Sequence, residues 1–270
     1  MREFSFYQGF SLRRERLAGM LQAVAANSTA SDEEIGRHMG VNPYMVEGFQ
    51  GWLCKTGLGS KQHKDYKLTP FGRLAVQYDP LLSDQGTSWI LHFYLSTQHD
   101  ERAEVWYRFF NQFIVPHQTF TRDELAVAIS RSIEEPPKNK ASLTKDIGEL
   151  LKAYTNTDAL GALGLLQKSG KEHYFSGNNS LPHALIGAFM LFDTWNRYFS
   201  ATDTLRLTQI SQELEMLGKV IIGSRERIQS LIGQLQTLGL LVIADTQHEP
   251  VTRRFKESPF LLLEKYYQQL

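Results

Sequence analysis

Lysines and arginines gather in three stretches of this chain, and the chemistry open to them is charge-assisted contact with phosphate. The first stretch sets Lys55, Lys61, Lys64, Lys67 and Arg73 against Asp65 alone. The second sets Lys138, Lys140, Lys145, Lys152, Lys168 and Lys171 against Asp146, Glu149 and Asp158, and the third sets Lys219, Arg225, Arg227, Arg253, Arg254 and Lys256 against Glu226, Asp245 and Glu249. Gln229, one turn beyond Arg225, adds an amide able to read a base edge. The candidate nucleic-acid contacts are therefore Lys55, Lys61, Lys64, Lys67, Lys138, Lys140, Lys145, Lys168, Lys171, Arg225, Arg227, Gln229, Arg253 and Arg254. The bias is local, because 29 basic residues balance 29 acidic ones and the 270-residue chain has no polycationic character. A solvated surface fits the same charges.

Catalytic spacings are absent from the sequence. It contains no His-Glu-x-x-His, no Gly-x-x-x-x-Gly-Lys-Ser/Thr, no Gly-x-Ser-x-Gly and no Cys-x-x-Cys. His38, His63, His92, His99, His117, His173, His183 and His248 are scattered, which does not suit a metal site. Cys54, the one cysteine, follows Leu53 on an apolar helix face and reads as a buried structural thiol in a reducing compartment. The expectation is a protein without cofactor, metal or enzymatic activity. An unfamiliar nuclease site is the alternative.

Three runs of predicted elements position the basic stretches. In the first, Leu12, Leu17, Met20, Leu21 and Val24 form one helix face; Ser31 to Glu34 has the spacing of a capping box; Asn42-Pro43 opens a further helix with Val46, Phe49 and Leu53 inward. Its outward face carries Tyr44, Glu47, Gly48, Gly51 and Lys55, where glycine permits close approach of another backbone. A hairpin between Gly59 and Leu68 completes the order of a winged helix-turn-helix. In the second run Thr121 to Glu124 caps a helix that Pro136-Pro137 ends; another carries Leu143, Ile147, Leu150, Leu151 and Tyr154, and a hairpin turns at Ser169-Gly170. In the third, Thr208 is the expected cap, Ile210 and Leu214 point inward, a loop passes Gly218 and Gly223, and a helix from Ser224 carries Ile228, Leu231, Ile232 and Leu235. Gly57-Leu58, Gly164-Leu165 and Gly239-Leu240 each separate a helix from a strand-like run, as a left-handed C-terminal glycine does.

The fold class expected is mainly α with small β-hairpin wings: three winged helix-turn-helix modules at residues 1–80, 118–180 and 204–270, joined by helical connectors at 81–117 and 181–203. The connectors hold aromatic stripes (Trp89, Phe93, Trp106, Phe109, Phe110, Phe113; Phe189, Phe192, Trp195), which read as core. The residues from Met1 to Phe6 lack a signal-peptide pattern and 181–192 is too short to span a bilayer, so a cytoplasmic location away from membranes is expected.

Phe4 to Arg13, Leu68-Thr69-Pro70-Phe71-Gly72, Trp89 to His92 and Trp106 to Asn111 together resemble a bacterial family catalogued only as a domain of unknown function. Its members are encoded near phosphoadenosine-phosphosulfate-reductase-like proteins in DNA phosphorothioation and phage-defence islands. The family shows His-Glu-Thr where this chain has Tyr7-Gln8-Gly9, so only Phe10, Leu12 and Arg13 carry over from that motif, and without assigned chemistry. The resemblance implies a place in DNA modification or defence. Two functions then stand open: an accessory or regulatory protein that binds double-stranded DNA, or an adaptor whose modules dock other defence or modification proteins. A homodimer is compatible with either.

Overall fold

The computed structural model of the protein describes residues 4–63, 65–97, 102–115, 117–133, 140–170, 173–177, 179–244 and 246–270. The chain is mostly helical with small antiparallel sheets, and divides into a unit ending at Asn179 and a second from Ser180 to Leu270.

In the first unit, α1 (Arg14–Ala26) buries Leu17, Met20, Leu21 and Val24 against α2 (Asp32–Met39) and α3 (Pro43–Lys55). The expected capping box closes α2, with the Ser31 hydroxyl accepting from Glu34 N–H and the Glu34 carboxylate accepting from Ser31 N–H at 2.7 Å. Asn42 caps α3, whose first position is Pro43. A hairpin of β1 (Gly59–Gln62) and β2 (Asp65–Leu68) follows, with Tyr66 N–H donating to the Ser28 carbonyl. Next comes α4 (Pro70–Tyr78), which explains the Leu-Thr-Pro-Phe-Gly motif. Thr69 Oγ1 accepts from Gly72 N–H and donates to the Gly57 carbonyl, and a Cβ at Gly72 would lie 1.9 Å from the Leu58 carbonyl oxygen.

The aromatic connector consists of α5 (Gln85–Ser96) and α6 (Glu104–Arg108), the latter running into a π-helical turn at Phe109–Phe113. Trp89, Trp106, Phe109 and Phe110 are fully buried, each contributing about 1.5–3 kcal/mol of transfer free energy. The stripes are core, as their spacing predicts. Beyond them, β3 (Thr119–Thr121) leads into α7 (Arg122–Ser132), closed by the predicted Thr121 and Glu124 capping box. Pro136-Pro137 falls outside the described residues. Then come α8 (Lys140–Thr155), β4 (Leu166–Ser169) and β5 (His173–Ser176), and the sheet order is β3-β5-β4.

The second unit opens with α9 (Ala184–Tyr198), which packs on the terminal helix α13 (Phe260–Tyr267). Between them lie β6 (Thr204–Arg206), α10 (Leu207–Gln212), α11 (Leu217–Val220), α12 (Arg225–Thr237), β7 (Leu241–Ile243) and β8 (Pro250–Arg253), in a sheet of order β6-β8-β7. Three expectations are corrected here. Thr208 is not the cap: β6 pairs with β8 and runs straight into α10, so Arg206 takes the cap position and donates its N–H to Gln209 Oε1 at 2.9 Å. Leu214 is 48% exposed, because α10 stops at Gln212, and the stretch read as loop between Gly218 and Gly223 contains α11.

The Gly-Leu steps behave as the sequence predicts, with φ of +74° at Gly57, +67° at Gly164 and +71° at Gly239. In the first and third, the leucine N–H reaches back to close the helix, Leu58 to the Leu53 carbonyl and Leu240 to that of Leu235.

Candidate nucleic-acid interface

The helices that precede the three hairpins, α3, α8 and α12, differ in what covers their outward faces.

On α3 the part of that face around Gly48 and Gly51 is covered by the chain itself, while Tyr44 and Glu47 stay exposed. Residues 5–12 run across it as a strap, and a Cβ would sit 2.2 Å from the Phe6 carbonyl oxygen at Gly51 and 2.6 Å from that of Tyr7 at Gly48. The glycines do admit a backbone, but it belongs to this protein. Trp52 Nε1 donates to the Phe10 carbonyl at 2.8 Å, and Phe6, Tyr7, Trp52 and Trp106 interlock as an aromatic box. Lys55, expected on the surface, is 4% exposed with its ammonium 5.8 Å from the Phe6 ring centroid. Lys61 donates to Gln50 Oε1 at 2.8 Å, pairs with Asp32 at 3.4 Å and lies over Tyr66. Lys67 is exposed and donates across the hairpin to Gln62. Lys64 lies outside the described residues.

The far side of the strap is held by α8. Asp146 accepts from Ser5 N–H at 2.9 Å and from the Tyr7 hydroxyl, while Glu149 accepts from Leu12 N–H and Ser11 Oγ, both at 2.8 Å. Burial raises both carboxyls, Asp146 to about 6, against the opposing pull of these hydrogen bonds. Lys152 donates to Ser11 Oγ. The Tyr7-Gln8-Gly9 departure thus places a phenol on a buried carboxylate. Of the basic candidates here, Lys145 is exposed on α8 and Lys168 on β4, 5.8 Å over Tyr174. Lys138 and Lys171 lie outside the described residues, as does the side chain of Lys140.

On α12 the outward face is open. Arg225, Glu226, Gln229, Ser230 and Gly233 are exposed along one stripe, the spacing of a single helix face, and nothing stands within 4 Å of a Cβ at Gly233. Ser224 caps the helix. Arg225 pairs with Glu249 but keeps half its side chain exposed. Arg227 faces away from the stripe and is half-buried; burial alone holds its guanidinium below the usual arginine range. Arg253 departs from expectation. It sits opposite Leu241 at the base of the hairpin, donating to Asp203 at 3.0 Å and Asn196 at 2.6 Å, so its guanidinium is engaged within the second unit. Asp203 is held below the usual carboxylate range by Lys256 and Arg253. Arg254 is exposed.

Sequence reasoning found Arg225 and Gln229 but passed over Ser230 and Gly233, which the i, i+4 spacing from Glu226 and Gln229 marks as their neighbours. It also took Asp146 and Glu149 only as counter-charges. Among the described residues no three His, Cys, Asp or Glu side chains gather as metal ligands, and no helix is long and apolar enough to cross a membrane.

Residues 4–267 match the model of a family described as a protein of unknown function (DUF4007). No curated protein matches the chain. Among solved structures, the crystal structure of magnesium ion-bound SspB is similar with a TM-score of 0.83 at 20% identity, covering 99% of this chain and 89% of that one. A second SspB crystal structure gives 0.82 at 21% identity with the same coverage. At that identity the likeness is one of fold.

Proposed function

Since the chain belongs to the DUF4007 family of proteins of unknown function over nearly its whole length, we propose that it is a DNA-binding accessory or regulatory protein of a bacterial DNA-modification or phage-defence system. Its framework is three winged helix-turn-helix modules, and the third supplies the reading helix. The observation that carries this is the open stripe on α12: Arg225 for a phosphate, Gln229 and Ser230 for base edges, and Gly233 for close approach in a major groove. The fold shared with SspB and the resemblance to proteins of phosphorothioation islands support the context.

The test is duplex binding by fluorescence anisotropy across a salt series, because phosphate contacts show first at low salt. Wild type is expected to bind, and Gln229→Ala with Ser230→Ala to weaken binding about 10-fold or more. Absence of binding at low salt ends the reading. The role proposed is binding and not catalysis. Metal-dependent nicking of plasmid by the pure protein, tried with magnesium because a similar structure holds it, would overturn that part.

The adaptor reading keeps one specific observation. In the first unit the strap covers the glycines of α3, and Lys55 and Lys61 are engaged internally, which takes these two lysines away from phosphate. It is favoured if wing and α12 variants leave function intact while neighbouring gene products still co-purify.

A further inference from the structure

The flank of α12 that carries Arg227, and that meets the stripe at Ser230, borders a cleft of about 240 Å³ against the start of α9. Arg227, Ser230 and Gln234 line it from α12, one and two turns apart, and Ser180 and His183 line it from the other side. Among the described residues no carboxylate lines this cleft. Three other half-buried cations are neutralised by acids, Arg197 by Asp193, Arg253 by Asp203 and Lys61 by Asp32. The guanidinium of Arg227 has no hydrogen-bond or ion-pair partner among the described residues. A cation partly stripped of water and left unpaired raises the free energy of the fold, and the compensation available to it is a bound anion.

The other groups match. His183 Nδ1 accepts from Leu185 N–H at 3.1 Å, which leaves its Nε2 to carry the proton as a donor. Ser230 and Gln234 add a hydroxyl and an amide. A planar five-donor fork, an imidazole N–H, a hydroxyl and an amide around an acid-free cleft suit a tetrahedral oxyanion, and the space is too small for a large cofactor.

We propose that the cleft between Arg227 of α12 and His183 at the start of α9 is a binding site for an oxyanion of the phosphate class. The phosphate comes either from a free anion or nucleotide or from a nucleic-acid backbone. The site stands on Arg227 and the cleft and does not depend on the stripe reading DNA.

The experiment is a titration of the full chain with inorganic phosphate, against sodium chloride at matched ionic strength, followed by melting temperature and by backbone amide shifts. A saturable rise in melting temperature with phosphate alone is expected, with amide shifts concentrated at residues 180–185 and 227–234. Arg227→Gln should weaken phosphate at least roughly tenfold, since it removes charge-assisted hydrogen bonds. Arg227→Lys, which keeps the charge without the fork, should retain part of the affinity. Equal stabilisation by chloride, shifts centred elsewhere, or unchanged phosphate affinity in Arg227→Gln would each overturn the site. Competition between phosphate and a short duplex assigns the backbone as source. Simultaneous binding assigns a free anion, and a protein that binds phosphate but no duplex keeps this site while losing the DNA reading.

Discussion

Replacing Asp146 by asparagine tests how the strap is held. In the folded protein the Asp146 carboxyl is raised from the ordinary 3.8 to about 6, chiefly by burial, with Glu149 nearby adding to the rise and bonds from Ser5 and Tyr7 opposing it. A raised acid means that the folded state binds the proton more tightly than the unfolded chain. The contribution to stability is therefore fully present below pH 3.8 and is lost as pH rises through 6. At 1.36 kcal/mol per pH unit the interval corresponds to about 3 kcal/mol, most of it between pH 4 and 7. Other carboxyls run the opposite way, among them Glu34, Glu104 and Glu124, which the fold holds low. The useful quantity is thus the difference between wild type and Asp146→Asn. The asparagine cannot ionise, so its stability relative to wild type should improve by about 3 kcal/mol from acid to neutral pH. Urea unfolding in a Trp195→Phe background reads this, because Trp52, Trp89 and Trp106 then report on the first unit alone. A variant whose difference from wild type stays flat with pH, or moves the other way, would refute the buried-carboxylate account.

Further outcomes follow from local geometry. Gly72→Ala should cost about 1–3 kcal/mol or more by chemical denaturation, because its Cβ meets the Leu58 backbone and not a movable side chain. Ser31→Ala should cost about 1 kcal/mol, whereas Thr208→Ala should stay within about 0.5 kcal/mol, since Thr208 caps nothing. With phosphate absent, Arg227→Met should melt above wild type in a calorimetric scan, the unpaired guanidinium having been removed. A lower melting temperature would mean that its methylenes matter more than its charge.

Features confined to a few neighbouring residues were legible in the sequence. The Ser31 and Thr121 capping boxes, Asn42-Pro43 and the three Gly-Leu steps each specify their geometry within about six residues, and all form. The three-residue strands β3 and β6 carry no such signal, because their hydrogen bonds go to β5 and β8, about fifty residues away in sequence. Pairing with β8 is also what moved the cap from Thr208 to Arg206. At the candidate site, charge was legible and burial was not. Lys55 and Arg225 look equivalent on paper, yet a passing strap buries the one and leaves the other at the surface. For Arg227 the charge was legible, but no local pattern shows that its flank of α12 meets a cleft without carboxylates.

The strap also sets an order of events during folding. Ser5 and Asp146 are 141 residues apart, and Leu12 and Glu149 are 137 apart, so neither bond can form until the chain as far as α8 has been made. Closing so long a loop comes late and slows the search for the native topology. Until then the glycine face of α3 and the edge of Trp52 stand uncovered, a transient apolar surface on an otherwise local helical cluster. The first unit should accordingly mature more slowly than the second, and its half-made form is the species a chaperone would meet.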